Sequence, residues 1–147
     1  MFHDQECSMK EFREAVERGD TTAIEALLAD DVVFTSPVAF APYEGKAITA
    51  AILRGVMRVF EDFRYIREFG SAGGADTALM FTATVSGKSI TGCDFIHVDA
   101  DGRIDDLMVM VRPLSGATAV AEAMGAQFDR IRAEAAEAAA AAGGSRG

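Results

Sequence analysis

In the stretch Thr91 to Pro113, TGCDFIHVDADGRIDDLMVMVRP, one carboxylate is out of keeping with its surroundings. A two-residue period puts Asp94, Ile96 and Val98 on one face of a strand, and Cys93, Phe95 and His97 on the other. Past a turn at Asp99 to Gly102, Leu107, Val109 and Val111 share a face, opposite Asp106, Met108, Met110 and Arg112. Asp94 therefore stands on a face that is otherwise hydrophobic. Buried among Phe and Val without a cationic partner, its carboxyl is expected to keep its proton above the ordinary range. In that state it donates to a carbonyl or phenol-like oxygen, or serves as a general acid. Two accounts of it stand open: it faces a ligand, or it is structural, bonded to a hydroxyl such as Thr84 or Ser36 or lying near a wet opening.

Other residues that could carry chemistry have simpler explanations. His97 lies on the face opposite Asp94, where packing accounts for it, and His3 falls in a loose terminus. Asp99 and Asp101 fit turn chemistry, Asp105 and Asp106 fit solvent exposure, and no metal site or cofactor is expected. The two cysteines, Cys7 and Cys93, lack the number for a disulfide framework and the spacing for zinc. Free thiols in a reducing compartment are the expectation. Tyr43 and Tyr65 can each offer a hydroxyl, and Tyr65 is preferred because its strand reads as central.

The elements that must position these groups follow from the periodicity. Ser8 with Glu11 three residues on forms a capping box, and Met9, Phe12 and Val16 make the buried stripe of a helix ended by Gly19. Asp20 or Thr21 caps a second short helix with Ile24, Leu27 and Leu28, broken at Asp30-Asp31. Val32 to Ser36 reads as a short strand closed by Pro37, and residues 39–45 as a loop. Ile48, Ile52, Val56, Val59 and Phe60 mark a third helix from about Lys46 to Asp62. The period then changes from 3.6 to 2, giving strands over 63–69, 75–86, the Asp94 stretch and the residues after Gly102. Both faces of the last hairpin are largely apolar, so it is expected mid-sheet with something packed on each side. Val120, Met124, Phe128 and Ile131 form a final helical stripe, expected to dock on the domain or on a second subunit, ahead of an alanine-rich tail expected to fray. Helices first and strands afterwards is an α+β order.

The 147 residues suffice for one domain with a real core. A net charge of −9 and the absence of a basic stripe argue against nucleic acid and anionic membrane as partners. No leader-like or membrane-spanning run is visible, so a cytoplasmic location is expected.

The order ERGD…LLADDVVFTSPVAF…YEG…ILRGV…CDFIHVDADGRIDDLMV resembles the nuclear transport factor 2-like superfamily, and within it ketosteroid isomerase-like and polyketide cyclase-like proteins. The resemblance runs from Met9 to about Pro113. It gives a domain at 9–113 and leaves outside it the polar, unpatterned N-terminus at 1–8, expected to be flexible, and the C-terminal helix with its frayed tail at 114–147. The implied fold is a cone: a curved antiparallel sheet packed on three N-terminal helices around an apolar pocket. Ketosteroid isomerases use an Asp base, a Tyr donor and a second Asp kept neutral by its apolar site. The base position matches Ser36, the tyrosine matches Phe12, and the neutral acid matches Asp94. Two of those three groups are thus replaced, and the usual isomerase mechanism is not expected. A related epoxide hydrolase type needs two Asp and an Arg around one water, and Val109 replaces its last-strand carboxylate.

The family's facing implies a pocket lined by Phe12, Val16, Phe34, Ser36, Phe60, Ile96, Leu107, Val109 and Val111, with Asp94 as the catalytic candidate and Tyr65 added by its hydroxyl. Small hydrophobic molecule binding is the function expected first. Its rivals are an isomerase- or cyclase-like enzyme with Asp94 as general acid, and a non-catalytic interaction module whose cone is filled by Phe12, Phe34, Phe60 and Phe81. A homodimer through the outer sheet face, with Met80, Met108 and Met110, is implied as well.

Overall fold

The computed structural model describes residues 2–70 and 74–144, with side chains from 9 to 141 in those ranges. Ten elements follow one another: α1 (Phe2–Glu17), α2 (Thr21–Ala26), β1 (Leu28–Thr35), β2 (Tyr43–Glu44), α3 (Lys46–Val59), β3 (Glu61–Gly70), β4 (Asp76–Val85), β5 (Lys88–Val98), β6 (Ile104–Arg112) and α4 (Leu114–Gly144). The α+β order is as the periodicity predicts. The strands form one six-stranded curved sheet in the order β2-β1-β6-β5-β4-β3.

Two features of the sheet depart from the expected antiparallel meander. β1 runs parallel to β6, pairing Phe34 with Leu107, and β2 adds a short antiparallel edge through Phe34 and Tyr43. β1 is also longer than its β-branched run. Asp30 and Asp31, expected as breakers, sit exposed inside it where its register on β6 shifts between Leu28 and Val33, so the irregularity accommodates them.

Other boundaries differ for local reasons. α1 begins at Phe2 rather than at Ser8, whose side chain lies outside the described residues, as do those of His3 and Cys7. α2 is capped as read, with the Asp20 carboxylate accepting from the Ala23 N–H at 3.1 Å. α3 stops at Val59 because Phe60 is already extended, which lets β3 start at Glu61. Residues 71–73, between β3 and β4, lie outside the described ones. The Asp99 turn is held by its own side chain, whose Oδ1 accepts from the N–H groups of Asp101 and Arg103.

The inner sheet face carries Leu79, Phe81, Ala83 and Val85 of β4, Ile96 and Val98 of β5 and Leu107 of β6, all buried beneath the helices. Met9, Phe12 and Val16 of α1 and Ile52 of α3 enter the same core. α4 docks on α3 through Met124 and Ile131, so the final stripe belongs to this domain's own core. The helices approach closely: a Cβ on Gly55 would stand 2.8 Å from Ile131 Cδ1. A polar seam flanks the crossing, with Arg58 donating to Gln127 at 2.8 Å and to Glu134 at 3.0 Å, and Arg54 lying 3.4 Å from Glu25.

The hairpin of β5 and β6 does sit mid-sheet, but only its inner face is covered within one chain. Phe95 is 41% and Met110 53% exposed on the outer face. No described helix is long and apolar enough to cross a membrane.

Candidate functional site

Between the curved sheet and helices α1, α3 and α4 lies a cavity of about 220 Å³. The sheet alternation delivers Asp94 to its wall from β5, with Leu107 and Val109 beside it from β6. Asp94 is 7% exposed. Its partner is neither Thr84 nor Ser36 but Tyr65, whose hydroxyl donates to Asp94 Oδ2 at 2.7 Å.

Tyr65 reaches that position from β3, which is an edge strand and not a central one as the sequence suggested. In the ladder Tyr65 opposes Phe81 of β4, and Phe81 opposes Gly92 of β5, two residues before Asp94. The sheet's curvature folds the edge inward, and the phenol crosses β4 to the mid-sheet acid. Gly92 makes room for this aromatic layer, since a Cβ there would come within 2.3 Å of the Phe81 ring. Phe63 stacks on Phe81 at 4.7 Å and meets Tyr65 edge-on at 5.0 Å, which fixes the phenol's direction.

The electrostatics follow from burial. Desolvation pushes the Asp94 carboxyl up from 3.8 to about 7, while the hydrogen bond from Tyr65 pulls it back. Burial first, and then the Asp94 charge, drive Tyr65 well above the ordinary phenol value, so it remains a donor. Asp94 therefore exchanges a proton near neutral pH while Tyr65 does not. Its own burial, and then the same charge, push the neighbouring Cys93 thiol up, away from thiolate chemistry.

Of the residues expected around the site, Phe12, Val16, Phe34, Ser36, Phe60, Tyr65, Asp94, Leu107 and Val109 line the cavity. Ile96 and Val111 do not. They share Asp94's sheet face, yet Ile96 is buried in the core and Val111 packs against it. Strand alternation fixes a residue's face, not its place along the wall. Ser36 serves the adjoining loop, its Oγ accepting from the N–H groups of Val38 and Ala39, both at 3.0 Å. Phe12 presents an apolar ring where a donor hydroxyl would be needed.

The sequence reading left out a second wall made by Val56 and Met57 of α3 and Val120, Met124 and Phe128 of α4. The stripes that hold Val56, Val120, Met124 and Phe128 were visible, Met57 lay outside them, and a stripe does not say what it faces. Tyr43 also lines the cavity, between the rings of Phe34 and Phe128. The aromatic residues leave the cone unfilled. His97 stays on the outer side, where Nδ1 lies 2.6 Å from Asp105 Oδ1, and that bond raises its pKa. No group of three potential metal ligands occurs among the described residues.

The family profile of the SnoaL-like domain matches residues 9–107. The chain belongs to the SnoaL-like domain family. That assignment carries the nuclear transport factor 2-like superfamily with it, as the motif order from Met9 to Pro113 implied. The SnoaL-like chain is 40% identical to a crystallised steroid delta-isomerase from Pseudomonas aeruginosa, with a TM-score of 0.82 over 88% of this chain and 95% of that one. It is 34% identical to a bacterial protein of cystatin-like fold from Silicibacter pomeroyi, with a TM-score of 0.78 over 86% and 93% of the two chains. An NTF2-like protein from Cytophaga hutchinsonii, 22% identical with a TM-score of 0.59 over 74% and 90%, shares the fold alone. A search of curated protein sequences finds no match.

Proposed function

We propose that this SnoaL-like protein binds a small hydrophobic molecule through one oxygen, with Asp94 as the principal polar contact and Tyr65 as its orienting partner. The observation that carries the reading is the Tyr65–Asp94 hydrogen bond of 2.7 Å set in a largely apolar wall. An apolar cleft with few convergent polar groups is the general form of a small-molecule site. Protonated Asp94 donates to a carbonyl or phenolic oxygen, with Oδ1 left to meet it because Oδ2 is engaged by Tyr65. The name of the Pseudomonas relative supports an oxygenated polycyclic hydrocarbon as the ligand class.

Asp94's value of about 7 favours a second reading as an isomerase- or cyclase-like enzyme with Asp94 as general acid. Binding stands first because Asp94 is the only carboxylate lining the cavity among the described residues, while Ser36 supplies no base and Phe12 no donor. Calorimetric titration with androst-4-en-3-one tests the site: Asp94→Ala is expected to weaken affinity about tenfold or more, and Asp94→Asn, whose amide still donates, less. Unchanged affinity in both variants removes Asp94 from the site. A β,γ-unsaturated ketosteroid separates the readings: growth of conjugated-enone absorbance that Asp94→Asn abolishes favours the enzyme.

We also propose that two copies pair through the outer sheet face. The ladder lines up Met80, Cys93 and Met110 in one row and Ala78, Phe95 and Met108 in the next, which gives a continuous apolar surface across three strands.

A further inference from the structure

The cavity wall reaches solvent on one side. Pro37, Val38 and Ala39 line it from the loop between β1 and β2, and Ala121 and Gly125 line it from α4. Val38, Ala121 and Gly125 are also exposed, so they mark its mouth. The next loop residue, Phe40, has its whole side chain in water. A ring of that size in solvent, one residue from a cavity wall, forgoes apolar contact that lies within short reach.

The loop is built to hold one half still. Pro37 and Pro42 each fix φ, and Ser36 Oγ holds the N–H groups of Val38 and Ala39. Phe40 is the first residue beyond that pin. Across the mouth, Gly125 sits within α4 although alanine is the better helix former, and a Cβ there would meet nothing within 4 Å. Nothing in the protein's own packing calls for glycine at that point. The missing side chain leaves open room at the mouth.

We propose that Phe40 gates the cavity, turning from solvent onto the hydrocarbon end of a bound ligand in the space that Gly125 leaves open. The gate rests on the ligand-site reading above and adds an orientation to it. The ligand's single oxygen lies inward at Asp94 and Tyr65, and its apolar end lies outward beneath Phe40. A ligand with a charged or strongly polar outer end is disfavoured, because closure would bury that group against an apolar ring.

The chain contains no tryptophan, so Phe40→Trp places a single reporter at the gate. Phe40 is exposed, and its substitution leaves the core intact. With androst-4-en-3-one at saturation, the Trp emission is expected to shift to the blue. Phe40→Ala is expected to release the ketosteroid about tenfold faster in stopped flow, with little change in association. Gly125→Leu, which fills the receiving space, is expected to suppress the blue shift. Calorimetric binding with an unmoved Trp emission and unchanged release from Phe40→Ala overturns the gate and leaves the site reading standing. A blue shift that follows protein concentration without ligand assigns Phe40 to self-association and also overturns the gate. Absence of binding heat with the unsubstituted protein counts against the site reading, and the gate falls with it.

Discussion

Asp94 is a carboxyl held in water-poor surroundings by one phenol, and its protonation is coupled to folding. Its folded value of about 7 lies above the ordinary 3.8, so the folded chain binds this proton more tightly than the unfolded chain does. Stability from this group is therefore fullest below about pH 4 and declines as pH rises to about 7, by roughly 4 kcal/mol in all. Denaturant unfolding at pH 5 and pH 8 is expected to show the larger part of that decline in the native sequence and to lose it in Asp94→Asn. His97 titrates in the same sense, its raised value giving stability that is lost as pH rises, so the difference between the two proteins is the quantity to read. Tyr65→Phe removes the hydrogen bond that lowers Asp94, which extends the decline to higher pH. A decline equal in the native sequence and Asp94→Asn would refute the buried-acid account.

At the scale of elements, the wall that α4 adds to the cavity depends on how tightly α4 crosses α3. Gly55 allows the close approach, and Arg58 ties the crossing to Gln127 and Glu134. Arg58→Ala is expected to cost about 1 kcal/mol, discounted because its partners are partly exposed. Gly55→Val overfills the crossing against Ile131 and is expected to cost roughly 1–3 kcal/mol. Hydrogen exchange provides the check: amides of α4 near Met124 to Ile131 should lose protection in both variants while those of β5 keep theirs. Equal loss in β5 would mean that α4 and the sheet open as one unit.

For the whole molecule, the exposed outer face is the feature a single chain leaves unexplained. Phe69, Phe95, Met108 and Met110 are large, apolar and in water on the same side of the sheet. Sedimentation velocity is expected to find a dimer for the native sequence and a monomer for the double variant Phe95→Lys, Met110→Lys, whose charges would be buried unpaired at such an interface. A native monomer at every concentration assigns the face another role.

The sequence by itself determined which way side chains face. A period of two placed Asp94, Leu107 and Val109 on the inner face, and a period near 3.6 placed Phe12, Val16 and Ile52 in the core. Caps and turns at Asp20 and Asp99 were equally legible, because their hydrogen bonds close within a few residues. Tertiary structure alone decided what those faces meet. Tyr65 and Asp94 are 29 residues apart, on strands separated by β4, and only sheet curvature brings phenol to carboxyl. The parallel pairing of β1 with β6, and the turn of α4's stripe toward the cavity, are likewise contacts between distant segments. Local periodicity records an element's orientation about its own axis; the distance between two elements is set by how the whole core packs.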